Sequence, residues 1–244
     1  MATVQDENLF IGPIGREYGM LRLLCPNAAA LAGKLGGHLA TVWPGASLRG
    51  FEIGCGTGVS TLALLVKNAG LHLLAVDSST KMLEQARENL GEWTDAGRVE
   101  FVEADALEAL RAQSDASFDV VASNYAIHNF RDDYRSRVVA EIHRVLKPGG
   151  LFLNGDRFAL DDRAAHLALT QSMLRHWFKT LAAINRYDLL EDWVVHLHSD
   201  ESPEHIMYFS PALTALREVG FAPEVVYREG VDTLVAATKP APPR

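Results

Sequence analysis

The densest chemistry in the sequence lies in Phe51-Glu52-Ile53-Gly54-Cys55-Gly56-Thr57-Gly58. Glycines at 54, 56 and 58 let a backbone turn sharply and let a ligand come close to main-chain amides. Two acidic residues follow short strand-like stretches further on, Asp77 after Leu74-Ala75-Val76 and Asp105 after Val102-Glu103-Ala104. A carboxylate placed like Asp77 can accept both hydroxyls of a ribose; it can equally cap the next helix. His128 lies in Ser123-Asn124-Tyr125-Ala126-Ile127-His128-Asn129. Its imidazole, with an ordinary pKa of about 6.5, suits either a general base or a structural role. Tyr18, Tyr125, Asp156, Arg157, His196, His198 and Tyr208 are further groups able to line a pocket, and His128, Tyr18 and Asp156 are the catalytic candidates. Val194-Val195-His196-Leu197-His198 reads as extended, which would make His196 and His198 a ligand pair. They lack a third ligand of clear spacing, so no metal is expected.

These groups need a scaffold. Leu48–Ile53, Leu71–Val76, Val99–Val102, Phe118–Ala122 and Leu151–Leu153 read as strands; Gly58–Asn68, Ser79–Leu90 and Asp132–Leu146 read as helices. In Ser79–Leu90 the apolar Met82, Leu83, Ala86 and Leu90 recur with a period of about 3.6. Lys147-Pro148-Gly149-Gly150 stops the third helix, because proline cannot continue it and glycine supplies the turn. Strands alternating with helices predict a parallel sheet covered on both faces. Residues 15–43 predict helix with Pro26 as a break or a first-turn residue, and residues 161–198 predict two or three helices over the ligand edge of the sheet. The aromatics Trp177, Phe178, Trp193 and Tyr208 could wall a planar substrate there or form core. Pro211–Gly220 predicts a helix, and Pro223–Tyr227 with Thr233–Thr238 two closing strands, antiparallel in part. A single domain over 1–244 is expected: a helical cap at 1–47, a core at 48–156, a helical lid at 157–209 and a closing unit at 210–238.

The Glu52-x-Gly54-x-Gly56-x-Gly58 pattern resembles motif I of class I, Rossmann-like S-adenosylmethionine-dependent methyltransferases. A dinucleotide fold would want its third glycine at position 59, which is Val59. The resemblance extends over residues 48–156 and implies a seven-stranded doubly wound α/β sheet in the order 3-2-1-4-5-7-6. It implies that Glu52 supports the loop and the cofactor's ammonium end, with Gly54, Cys55, Gly56 and Gly58 under the methionyl and ribose portion. Asp77 and Ser78 would then take the ribose, Met82 the adenine face, and Asp105 and Ala106 the adenine amino edge. Asn124 would touch the cofactor. The loop after the fourth strand lacks the two prolines of amino-group methyltransferases and looks more like that of quinone C-methyltransferases. Tyr18-x-Met20-Leu21-Arg22, Gly155-Asp156-Arg157-Phe158 and Leu216-x-x-x-Gly220-Phe221 loosely resemble carboxy-S-adenosylmethionine synthase and its methyltransferase relatives. That synthase holds its extra carboxylate with an arginine of the insertion. This chain has no Arg or Lys between Leu189 and Pro211, which favours ordinary S-adenosylmethionine, leaving S-adenosylhomocysteine as product.

Composition narrows the partners. A net charge of −8 disfavours nucleic acid. No apolar run reaches the roughly 20 residues that span a bilayer, and Met1–Phe10 lacks the basic start of a signal peptide. Cys25 and Cys55 make no disulfide framework, so a cytoplasmic setting is expected. The expected function is methyl transfer to a nitrogen, oxygen or carbon of a small molecule, in keeping with natural-product biosynthesis. The alternatives are a carboxy-S-adenosylmethionine synthase, a noncatalytic cofactor-binding protein and, less in keeping with Val59, a nicotinamide oxidoreductase. The inserted helices are a candidate homodimer surface.

Overall fold

In the computed structural model, which describes residues 27–241, seven strands form one sheet in the order β3-β2-β1-β4-β5-β7-β6. The strands are β1 (Leu48–Ile53), β2 (Leu71–Asp77), β3 (Val99–Glu103), β4 (Phe118–Asn124), β5 (Leu146–Arg157), β6 (Ala222–Glu229) and β7 (Asp232–Thr238). The first five pair parallel, whereas β7 runs antiparallel to both β5 and β6. The helices are α1 (Asn27–Val42), α2 (Val59–Lys67), α3 (Thr80–Asn89), α4 (Gly91–Asp95), α5 (Ala106–Arg111), α6 (Asp132–Val145), α7 (Arg163–Ala183), α8 (Tyr187–Asp200) and α9 (Phe209–Val219). The sequence expectation of a doubly wound α/β sheet in this order holds. Tyr18, Cys25 and Pro26 lie outside the described residues.

Alternation along the strands builds two cores. Phe51, Ile53, Val76, Val121, Phe152 and Val235 face one layer, where Leu107, Val138, Ile142, Leu213 and Leu216 of α5, α6 and α9 cover them. Leu73, Ala75, Val120, Ala122, Leu153 and Leu234 face the other, covered by Leu31, Leu35 and Leu39 of α1, Leu64 of α2 and Leu83 of α3. Local chemistry sets the helix ends. Asp105 and Asp162 cap α5 and α7 by accepting the second and third backbone amides. Gly220 ends α9 at φ 107, a left-handed conformation that a side chain resists. α6 stops at Val145, and Leu146 already pairs with Phe118 in the sheet, so β5 begins before the Lys147–Gly150 turn that was expected to precede it.

The segment between β5 and α9 holds two helices. α7 and α8 pack on each other through Trp177, Leu181, Leu189, Leu190, Trp193 and Leu197. The indoles of Trp177 and Trp193 meet edge to face at 5.8 Å. These aromatics are therefore core, while Phe178 is 53% exposed. The run Val194–His198 is helical, contrary to the extended reading: burying the apolar side of α8 outweighs the strand preference of the two valines. No helix among the described residues is long and apolar enough to cross a membrane.

α1 reaches the core through a close helix crossing. A Cβ on Gly36 would stand 2.2 Å from the Ala63 carbonyl of α2, whereas one on Gly33 would meet nothing within 4 Å. Gly36→Ala should cost about 1–3 kcal/mol by overpacking. Gly33→Ala should be neutral or stabilising by up to about 1 kcal/mol. Urea unfolding of both variants checks the pair, and equal effects would contradict the packing account.

Candidate active site

Parallel pairing sets Ile53 opposite Val76 and Ser123, Asp77 opposite Glu103, and Asn124 opposite Gly155. The carboxyl ends of β1 to β5 thus share one edge of the sheet. The strand order reverses direction between β1 and β4, the place where open α/β sheets take ligands.

The glycine loop leaves β1 at this point. Gly54, Gly56 and Gly58 have φ of 65, 53 and 88, which side chains rarely adopt. A Cβ on Gly54 would lie 2.4 Å from Cβ of Ala126, so the loop presses against the turn after β4. Glu52 is 0% exposed and accepts hydrogen bonds from Ser60 Oγ at 2.5 Å and Thr61 Oγ1 at 2.6 Å. It thereby ties the end of β1 to the first turn of α2. Burial pushes its pKa up to about 7, against the two hydroxyl donors. Cys55 is buried, and burial with the nearby Glu52 and Asp77 raises its thiol pKa.

Asp77 holds the other side of the loop. Its Oδ2 accepts the Gly56 amide at 2.8 Å and its Oδ1 the Ser79 amide at 2.9 Å. Each oxygen keeps a lone pair for a diol. Burial raises its pKa, opposed by the Ser79, Gly56 and Ser78 amides. Ser78 is exposed, while Met82 is buried in α3. Asp105 is both cap and site candidate. Its Oδ1 accepts the Leu107 and Glu108 amides, and its Oδ2 accepts the Tyr134 hydroxyl at 2.7 Å. Asn124 donates to the Ala28 carbonyl at 3.2 Å, and its buried Oδ1 has no hydrogen-bond partner, nor has Ser123 Oγ beside it.

The opposite end of the site is built on Asp156 of β5. This 0% exposed carboxylate accepts the His128 backbone amide at 3.1 Å and meets His128 Nδ1 at 2.5 Å. Both contacts come from the short 3-10 turn Ile127–Asn129. With Nδ1 engaged, Nε2 is the nitrogen left to take a proton, a hydrogen bond or a metal. Burial lowers the His128 pKa, but Asp156 and Asp200 outweigh it and the net shift is upward. Nε2 points toward Asp200 Oδ2, 3.9 Å away at the end of α8.

The sequence reading missed four residues that fix this end. Arg135 of α6 is buried and donates to the carbonyls of Ile127 (3.3 Å), Phe130 (2.6 Å) and His205, joining the 3-10 turn to the segment after α8. Glu201 pairs with Arg157 and, at 2.9 Å, with His166 of α7. Asp200 lies 3.5 Å from Arg157 Nη1 and 3.6 Å from His196 Nε2. Only the His196-x-x-x-Asp200 spacing, one helical turn, was visible locally. His198 is exposed and takes no part, and Tyr208 stacks near Arg163 and His166.

S-adenosylmethionine, the cofactor implied by the resemblance, fits the donors present. The glycine loop takes left-handed turns, Asp77 keeps two acceptor lone pairs, and Asn124 Oδ1 is an acceptor without a partner. Asp105 Oδ2 likewise retains a lone pair.

Glu52 gives the site a pH signature. An unfolded glutamate titrates near 4.5 and the folded one near 7, so between those values the native state holds a proton that the unfolded chain has lost. Stability should therefore fall as pH rises from 4.5 to 7, by on the order of 3 kcal/mol in total. Glu52→Gln, which cannot titrate, should lack this component. Urea midpoints measured across that range check it, and parallel profiles for the two proteins would refute it.

Comparison with known proteins agrees with this geometry. Residues 51–150 match the family model described as "Methyltransferase domain". A demethylmenaquinone methyltransferase of Leptospira interrogans is 40% identical over 105 residues, covering 43% of this chain and 41% of that protein. A carboxy-S-adenosyl-L-methionine synthase of Aeromonas hydrophila is 26% identical over 217 residues, covering 85% of this chain and 82% of that protein. The first-named relative is thus matched over less than half its length. Among solved structures, the 1,6-didemethyltoxoflavin-N1-methyltransferase of Burkholderia thailandensis, with 1,6-didemethyltoxoflavin and S-adenosylhomocysteine bound, superposes with a TM-score of 0.59 at 20% identity, over 93% of this chain and 82% of that one. Residues 51–150 are thus similar to a methyltransferase domain, carried on a seven-stranded sheet in the order 3-2-1-4-5-7-6.

Proposed function

We propose that this protein transfers a methyl group from S-adenosylmethionine to a small organic acceptor. The observation that carries the reading is the pairing of a cofactor cradle, Glu52 to Gly58 with Asp77 and Asp105, with an oriented His128–Asp156 dyad at the neighbouring strand end. When bound, S-adenosylmethionine supplies an electrophilic methyl on its sulfonium, and displacement then needs mainly alignment. Asp77 and Ser78 hold the ribose, Asp105 and Ala106 receive the adenine edge, Met82 backs the ring, and Asn124 accepts from the ammonium end. Cys55 contributes only its place in the loop.

At the acceptor end, Asp156 sets the tautomer of His128 so that Nε2 meets the nucleophilic group. Tyr18, outside the described residues, stays a catalytic candidate on its residue type alone. α7 and α8, held by the Arg157–Glu201 and His166–Glu201 pairs, serve as the lid that keeps water from the acceptor. Relatives named for demethylmenaquinone and 1,6-didemethyltoxoflavin support an acceptor of small, unsaturated organic type.

A second reading, carboxy-S-adenosylmethionine synthesis, draws on the longer alignment with the Aeromonas enzyme. The cation it calls for is missing between Leu189 and Pro211, and Arg157 nearby is already paired with Glu201. Mass spectrometry of the nucleoside released from purified protein separates the two readings; a carboxylated form would favour the synthase. For methyl transfer, the measurement is release of S-adenosylhomocysteine with a panel of quinols, phenols and N-heterocycles. Turnover with at least one class is expected. Asp156→Asn should then lower kcat at least about tenfold with cofactor affinity unchanged. Cofactor binding without turnover on any acceptor class would favour a noncatalytic role.

A further inference from the structure

We propose that His128, His196 and Asp200 form a binding site for a divalent first-row transition-metal ion of the zinc class. The donors come from two separate pieces of chain, the turn after β4 and the last turn of α8, and one ligand atom from each lies within 4.8 Å of the others. Asp200 Oδ2 is 3.9 Å from His128 Nε2 and 3.6 Å from His196 Nε2. These gaps exceed hydrogen-bond length. They approach the spacing of about 3.4 Å between two donors that share a tetrahedral ion at roughly 2.05 Å each.

Burial adds a second, independent argument. Residues His128, His196 and Asp200 are 8%, 6% and 8% exposed. A carboxylate so deeply buried is costly unless something satisfies it. Asp200 Oδ1 accepts no hydrogen bond, and the nitrogens facing Oδ2 all stand at 3.5–3.9 Å. Arg157 does not settle the account, since its short contact is with Glu201. Arg135, the other buried cation whose charge Asp156 and Asp200 feel, donates to the carbonyls of Ile127, Phe130 and His205 and makes no hydrogen bond to Asp200.

The surroundings also suit ligation. Asp156 engages His128 Nδ1 at 2.5 Å and leaves Nε2 toward Asp200. A ligating histidine commonly has its far nitrogen held by a carboxylate in this way. His196 and Asp200, four residues apart, lie on one face of α8. Two imidazoles and one carboxylate favour zinc-like ions over magnesium or calcium. Three protein donors leave a coordination position for water or an oxygen of the acceptor, and with the ion bound His128 Nε2 reaches the acceptor through the ion rather than directly. That role rests on the methyl-transfer reading, but ion binding does not.

The test uses the full-length protein after chelator treatment, with no cofactor or acceptor present. Zn²⁺ is titrated by calorimetry and Co²⁺ by visible absorption. One equivalent should bind with micromolar or tighter Kd, and Co²⁺ should give the d–d bands of a low-coordinate site. His196→Ala and Asp200→Ala should each weaken binding at least tenfold, and Asp156→Asn about tenfold. His198→Ala, exposed on the same helix, should match wild type. Circular dichroism establishes that each variant is folded. Absence of binding by folded wild type overturns the proposal even if a variant fails to fold, and so does wild-type affinity in folded His196→Ala and Asp200→Ala.

Discussion

A parallel strand must be re-entered from its amino end, so every crossover loop that leaves a carboxyl end lands on the same edge of the sheet. This constraint brings Gly54, Asp77, Asp105, Asn124 and Asp156 together although they span about a hundred residues of sequence. The reversal of order between β1 and β4 then opens a crevice where the glycine loop meets the turn after β4. The antiparallel β7 contributes differently. Asp232, at its start, accepts the hydroxyl of Tyr125 and an amide proton of Asn27, joining that turn to α1.

Hydrogen-bonded carboxylates tie this edge together. Glu52, Asp77 and Asp156 each bond to groups outside their own strand: the α2 hydroxyls, the Gly56 amide and the His128 turn. Removing one such acid would release a loop as well as a charge, because its donors would be left buried without partners. The same economy appears at Asp105, which caps α5 through Oδ1 and accepts the Tyr134 hydroxyl with Oδ2. Cap and ligand readings of an acidic residue after a strand are thus compatible, since a carboxylate has lone pairs enough for both.

What the sequence made legible was local. The period-two and period-3.6 patterns marked most elements, and the turn residues fixed their ends. The positions of the glycine loop and of the acids after β2 and β3 were readable because neighbouring strand and turn residues mark them. The surroundings of Asp156 were less readable because its contacts are long-range. Arg157 meets Glu201 at 44 residues' separation, and Arg135 meets His205 at 70. No local pattern announces such pairs. In α8 the Val194-Val195 run imitated a strand, which set His198 beside His196 and hid Asp200, one helical turn away. The indoles of α7 and α8 carried no local sign of whether they would wall a pocket or pack on each other.

The central claim is that the β1–β2 edge is a cradle for S-adenosylmethionine, with Asp77 holding the ribose. Calorimetric titration of that cofactor into wild type and Asp77→Ala tests it most directly. The account predicts micromolar binding by wild type and at least tenfold weaker binding by the variant, about 1.4 kcal/mol. Folded wild-type protein that binds no S-adenosylmethionine, or a variant that binds it as tightly as wild type, would contradict it.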